Sequence, residues 1–370
     1  MKRTVLLFLV VCSMFVSSAM AQSGLSGTLK IGPGAAYSTL TAAFAALNTN
    51  GVKGPVILEL QANYTSSTET YPLTIPAFAG VSETNQVTIQ PAASAIGLVI
   101  KCPNLILAPT IQLNSAAYIN IDGRPGGTGT KVQLSIVSDQ ETTTAIALLD
   151  NCSHNNFRYI DLSAYMYNAE SGIISLTAGN ATNGNTYNTF EHCTLHNISG
   201  KTVYKGIHSV AAQGAWNRYN TVKDCNFSDI TAFHIFLGAG NSDWKIINNN
   251  FYTTSTTALG QNTIYISAGT GSGFVITDNA IGGSGPGCSG QQASVSTFNG
   301  ICVESAPTGF NYILRNKIAN IKVTAPAGTY NPFRGIYMNG GSFVCSNNTL
   351  GETGSTGPDI PVTYLSGGYS

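Results

Sequence analysis

The sequence predicts an all-β chain: a right-handed parallel β-helix, a solenoid, with a capping helix at its N-terminal end. Three observations predict it. First, the phrase Phe157-Arg158-Tyr159-Ile160-Asp161-Leu162 returns at residues 190–195, 222–227, 246–251, 276–281, 313–318 and 345–350. Second, another phrase lies between copies of the first, at residues 172–175, 206–209, 232–235, 263–266, 300–303 and 335–338. Both phrases are β-branched or aromatic and bounded by Gly, Asn and Ser, which is strand chemistry. Third, the fourth position of the first phrase reads Ile160, Cys193, Cys225, Asn249, Asn279, Asn316 and Asn348, at steps of 33, 32, 24, 30, 37 and 32 residues. Self-similarity at that period marks a solenoid, a propeller or an array. A propeller blade needs four strands in about 40 residues. Here two or three strands recur in each repeat and like stacks on like, each coil about 4.8 Å above the last. A side-chain amide both donates and accepts, so stacked asparagines bond the coils above and below. The Ile and Cys that continue this column turn it inward.

The elements follow in order. Residues 1–21 read as a secretory signal peptide. Lys2 and Arg3 form its positive end, Val5 to Val16 its apolar run, and Ala19-Met20-Ala21 its small-residue cleavage pattern. The run is shorter than the ~20 residues that span a bilayer, so the mature chain starts at Gln22 with no membrane span. Cleavage leaves a formal charge of −2. Leu40, Phe44 and Leu47 recur at helical spacing from Thr39 to Asn48, behind a Ser38 or Thr39 cap and before Gly51. Val56 to Leu60 is a strand. Residues 22–112 form the cap and first coils, including segments 87–89, 98–100 and 105–107. Residues 113–370 form the regular helix, entered at Tyr118-Ile119-Asn120-Ile121-Asp122-Gly123. The last segment, Tyr364-Leu365-Ser366-Gly367-Gly368-Tyr369-Ser370, carries no capping helix. It reads as a truncated end with further C-terminal modules missing.

Two strings carry a resemblance. Gly34-Ala35-Ala36-Tyr37-Ser38-Thr39-Leu40, the alanine-rich helix, residues 56–60 and Asn63-Tyr64-Thr65 resemble the opening of pectin lyase-like β-helix proteins. That resemblance implies a helix plugging the first coil. An open solenoid end exposes apolar core and strand edge, so it needs such a plug. Tyr71-Pro72-Leu73-Thr74-Ile75 and the string from Ile121 to Gly127 are similar to the β-helix region of large secreted bacterial surface proteins. This implies a secreted or cell-surface location after bacterial export. The shared motifs are structural and bring no catalytic signature.

Composition excludes several function classes. Charged residues are 9% of the chain and hydrophobic residues 43%, too apolar for disorder. Lys+Arg and Asp+Glu are both 17, so no basic face for nucleic acid is indicated. Seven cysteines remain after the signal: Cys102, Cys152, Cys193, Cys225, Cys288, Cys302 and Cys345. They lack metal-ligand spacing. Parallel stacked Cβ vectors aim poorly for a Cys193–Cys225 bridge, so both are expected as buried thiols. No acid cluster suits calcium, and nothing calls for a metal or cofactor.

Alternation in the second phrase places Ile174, His208, His234, Tyr265, Cys302 and Tyr337 outward in one column. Lys205 and Arg334 lie at its edge, beside long segments at 196–205, 252–262, 282–299 and 319–334. Sugar rings offer apolar faces to aromatics and hydroxyls to His, Asn and Lys. The column is therefore a candidate groove for an extended glycan, with Tyr265 as the central stacking platform. A non-catalytic binding, adhesion or structural module is the first reading. The alternative is a polysaccharide lyase or glycoside hydrolase. For a lyase, His208, His234 or Tyr265 would remove a proton, and Lys205 or Arg334 would hold a carboxylate. A hydrolase needs two carboxylates at defined separation. Glu191, Asp224, Asp229, Asp243 and Asp278 are scattered, and Asp224 and Asp278 stand two coils apart, roughly 9.6 Å. Arg158, Glu191 and Lys223 read as a surface ion ladder.

Overall fold

The computed structural model describes residues 24–103, 108–167, 170–179, 183–212, 214–255, 260–267, 269–304, 309–351, 360 and 362–364. The expected signal peptide, the segment 105–107 and most of the C-terminal segment lie outside these residues. Among the described residues the strands form three long sheets, of eleven, nine and nine strands, with every pairing between their strands parallel. Each coil visits the first, second and third sheet in turn. The chain is a right-handed parallel β-helix of about 10 turns. Among the described residues no helix is long and apolar enough to cross a membrane.

The helix Leu40–Asn50 stands where the sequence predicts it. Thr39 caps it, its hydroxyl accepting from the Ala42 amide at 3.1 Å. The Glu69 carboxylate accepts from the Leu40 and Thr41 amides at 2.6 and 2.8 Å, a negative charge at the positive helix end. Leu40, Ala43, Phe44 and Leu47 face the core. The chain then turns at Gly51, whose φ of 69° suits a residue without Cβ.

The interior is a set of aligned columns. The first sheet stacks Leu58, Ile89, Ile121, Phe157, Phe190, Val222, Ile246, Ile276 and Ile313. The second stacks Ile136, Leu162, Leu195, Phe227, Phe251, Ile281 and Ile318. The six-residue phrase is two short strands meeting at a corner. The corner residue is left-handed in every copy: Tyr159, His192, Asp224, Asn248, Asp278, Arg315 and Asn347, with φ from 52° to 60°. The next residue is the predicted inward column. Asn249, Asn279, Asn316 and Asn348 bond in series, each Nδ2 donating to the next Oδ1 at 2.9–3.0 Å. At the other end, Asn249 Oδ1 accepts from the Cys225 amide, and Cys225 Sγ accepts from the Cys193 amide. The seven cysteines among the described residues are free thiols, and of these only Cys345 is exposed.

Candidate functional site

The third sheet sets which residues share the outer column. Its pairing aligns Ser175, His208, Phe236, Tyr265, Cys302 and Tyr337. A second outward stripe aligns Lys205, Phe233, Asn262, Asn299 and Arg334. His208, Tyr265, Cys302 and Tyr337 therefore share the expected column, while Ile174 and His234 do not. The reason is a break in strand alternation. Five of its strands bury at least two consecutive residues at this point: Ile173 and Ile174, Gly206 and Ile207, His234 and Ile235, Thr263 and Ile264, Gly300 and Ile301. Glycine fills the extra inward place at Gly206 and Gly300. A Cβ on Gly206 would meet the His234 carbonyl at 2.5 Å and the Ile230 side chain at 2.8 Å. Matching the copies on their Gly-Ile pairs slides the first by one residue and the third by two.

His234 is consequently a core residue, 1% exposed. Its ring meets Phe251 edge-on at 5.5 Å and Phe227 at 6.5 Å, and neither ring nitrogen finds a hydrogen-bond partner. Burial pushes its pKa down to about 3. Phe236 takes the outward place that His234 was expected to hold.

The N-terminal end of the column is covered. His208 and Lys205 are both buried. The Lys205 ammonium lies 4.1 Å from the Phe236 ring centroid, a cation on an aromatic face. Burial pushes Lys205 down to about 8. Burial, and then the Lys205 charge, push His208 down to about 4. Tyr265 stacks on Phe236 at 5.8 Å and 7°, and Cys302 occupies the next coil on its other side. Both ring faces are thus taken, so Tyr265 presents an edge and is not the open stacking platform expected. Burial and the neighbouring Glu304 push its pKa up to about 12. Tyr337 is half-buried, with the Arg334 guanidinium 4.8 Å over its ring. Asn299 donates to Asn262 Oδ1 at 2.8 Å. The accessible part of the face is therefore a row of hydroxyls, amides and one guanidinium.

The carboxylates are engaged elsewhere. Asp224, Asn248 and Asp278 do share a column, at the left-handed corner. Asn248 donates to Asp224 at 2.6 Å, and Arg315 binds Asp278 at 2.8 Å. The ion ladder consists of Lys223 on Glu191 at 2.6 Å and Arg158 on Asp122 at 2.9 Å. Asp229 accepts from Thr254 and Ser255, and Asp243 from Ser242. Among the described residues no group of three or more His, Cys, Asp or Glu is placed to hold a metal ion.

A third repeated phrase escaped the sequence reading. Cys152-Ser153-His154-Asn155-Asn156-Phe157 returns as Asn185-Thr186-Tyr187-Asn188-Thr189-Phe190 and Asn217-Arg218-Tyr219-Asn220-Thr221-Val222. Its fourth position builds a second buried amide ladder, Asn155 to Asn188 to Asn220 at 2.9 and 3.0 Å. Its third position builds an outer aromatic ladder, Tyr118–His154–Tyr187–Tyr219, with rings 4.9–5.0 Å apart. The signal was present as the string Asn-x-Tyr-Asn at residues 185–188 and 217–220, just ahead of two copies of the first phrase.

No family model and no curated protein matches the sequence. Among solved structures, the chain is similar to an alginate lyase from a Paenibacillus species, at 13% identity and TM-score 0.43, over 87% of this chain and 99% of that one. It is similar to a Streptococcus pneumoniae surface protein and adhesin, at 10% identity and TM-score 0.42, over 88% and 95%. It is also similar to a lacto-N-biosidase from Eubacterium ramulus, at 8% identity and TM-score 0.41, over 87% and 67%. At these identities and TM-scores the likeness assigns neither family nor role.

Proposed function

We propose that this chain is an exported, non-catalytic β-helix that binds an extended glycan along the outer face of its third sheet. One observation carries the reading: two parallel stripes of hydrogen-bonding heads, Tyr265 and Tyr337 beside Asn262, Asn299 and Arg334, repeat at the coil spacing. A polymer lying along the axis meets a polar head on each of three successive coils, with a tyrosine hydroxyl on the first and third. Binding is favoured over turnover because the two candidate bases on this face are tuned away from neutrality. His208 at about 4 and Tyr265 at about 12 are poor general bases near pH 7. Both His208 and Lys205 are also shielded from a polymer. Export, into the medium or to the cell surface, rests on the expected signal peptide and belongs to the same proposal.

The test is affinity electrophoresis through gels containing neutral or uronate polysaccharides, with the polymer's chain length measured afterwards. Retardation without shortening is expected. Arg334→Ala and Tyr265→Ala should weaken it by about 2 kcal/mol each, the scale of a binding hot spot. Polymer cleavage lost in His208→Ala would establish the enzyme reading instead. Retardation unchanged in both variants would remove this face from the function.

A further inference from the structure

We infer that the corner between the third and first sheets carries a separate carbohydrate site: three adjoining clefts that hold a linear oligosaccharide of about three pyranose rings. The clefts are joined by shared aromatics. The first, about 280 Å³, is lined by Ala211, Ala239, Gly240 and Gly269, and Trp216 is one wall. The second, about 300 Å³, lies between Trp216 and Tyr187 and receives Asn151, Asn183 and Arg218. The third, about 330 Å³, continues past Tyr187 to His154, Tyr118, Asn156 and Gln86. Each divider is thus an aromatic side chain, and each cleft beyond the first has amide groups that both donate and accept.

Trp216 is unlike the other outward aromatics. Asn217 pairs with Asn241 and Thr186 with Arg218, so the coil neighbours of Trp216 are Gly240 and Gly184. Neither has a side chain to lie on the indole. A Cβ at Gly184 would stand 2.3 Å from the Trp216 backbone, and one at Gly271 3.1 Å from the indole ring. A Cβ at Gly214 would meet nothing within 4 Å, because it points into open space. Small residues therefore keep space open around a half-buried indole. An apolar ring face bordered by amides and hydroxyls matches a pyranose, which offers C–H groups on one side and hydroxyls at its rim. The charges lining the second and third clefts are few, Arg218 and Glu83, which disfavours a polyphosphate.

The chain has two tryptophans, which makes the site readable. Trp244 is fully buried, its indole N–H donating to the Asn217 carbonyl at 3.0 Å. A ligand-induced change in emission therefore reports Trp216. Cellotriose, mannotriose and chitotriose are titrated by fluorescence, and affinities are measured by calorimetry on the intact protein. At least one should change the emission, and its monosaccharide should bind at least about tenfold more weakly. Trp216→Phe should abolish the emission change, and Trp216→Phe and Tyr187→Ala should each weaken calorimetric binding by about tenfold. Whatever Tyr265→Ala does to binding at the sheet face, it should leave the Trp216 emission change intact, which separates the two sites. The inference is overturned if none of the three binds, if the monosaccharide binds as well as the trisaccharide, if Trp216→Phe binds normally, or if Tyr265→Ala abolishes the emission change.

Discussion

Asn279→Ala is the substitution that tests the fold most sharply. Asn279 is 1% exposed. Its Oδ1 accepts from both the amide and the Nδ2 of Asn249, each at 3.0 Å. Its Nδ2 donates to Asn316 Oδ1 and to the Ile246 carbonyl, each at 2.9 Å. Alanine leaves two buried hydrogens of Asn249 without an acceptor, that of the backbone amide and one of the two on Nδ2, the other still reaching the Val222 carbonyl at 3.0 Å. Each unsatisfied donor costs about 1–3 kcal/mol, so the loss is roughly 2–6 kcal/mol. Asn316 Oδ1 keeps the Asn279 backbone amide at 3.1 Å and adds little. Asn348 accepts the same pair of bonds from Asn316 but is only half-buried, so water can replace it. Asn348→Ala should therefore cost about 1 kcal/mol. Guanidinium unfolding gives the stabilities, and amide hydrogen exchange gives the location. In Asn279→Ala the Asn249 amide should lose protection, while the Cys225 amide, still bonded to Asn249 Oδ1, keeps it. Equal costs for the two variants, or unchanged exchange at Asn249, would refute the ladder as a source of stability.

Two further outcomes follow from burial. The folded pKa values of His234 and His208, about 3 and 4, lie below the ordinary value of about 6.5. Above that value neither state is protonated. As pH falls below it the unfolded chain takes up protons that the folded chain refuses, so stability falls by up to about 1.4 kcal/mol per pH unit for each group. His234→Leu should flatten this loss between pH 6.5 and 4, and superimposed acid limbs for variant and wild type would contradict the assignment. Among the seven cysteines of the described residues, Cys345 should react with a thiol reagent at once and Cys193 and Cys225 only on unfolding. A Cys193–Cys225 disulfide found by peptide mapping would sink that reading.

The parts of the fold legible in the sequence are those that repeat in register. The Ile160–Asn348 column was readable because each coil repeats the same corner, so one inward position recurs with its flanks. The outward column was only partly readable, because alternation fails where Gly206, His234 and Thr263 turn inward beside an isoleucine. Period-two reasoning assumes an unbroken pleat, and a bend that buries two neighbours shifts the face of everything beyond it. The sequence around His234 gives no warning, since a histidine there reads as a surface residue. The corner clefts were illegible for another reason. They depend on Gly184, Trp216 and Gly240 meeting across three coils, and unequal repeat lengths hide that alignment.

The stacking distance itself separates structural aromatics from binding ones. In this fold every outward column places like positions about 4.8 Å apart. An aromatic with aromatic neighbours above and below is then covered on both faces, as His154 and Tyr187 are at 4.9–5.0 Å. Such a ring stabilises the coil and shows the solvent only its rim. A sugar needs a face, and a face survives only where the column is interrupted by a residue too small to cover it. Tyr265 fails this condition, with Phe236 on one side and Cys302 on the other. Trp216 meets it, with glycine on both sides. Replacing Gly184 or Gly240 by a larger residue would therefore close the corner site from the protein side. At Gly240, whose φ is 72° and whose Cβ would lie 2.7 Å from Ala211, that replacement also strains the turn. The two glycines that would admit the ligand are thus also held by the coil, Gly184 by its 2.3 Å approach to the Trp216 backbone and Gly240 by its turn.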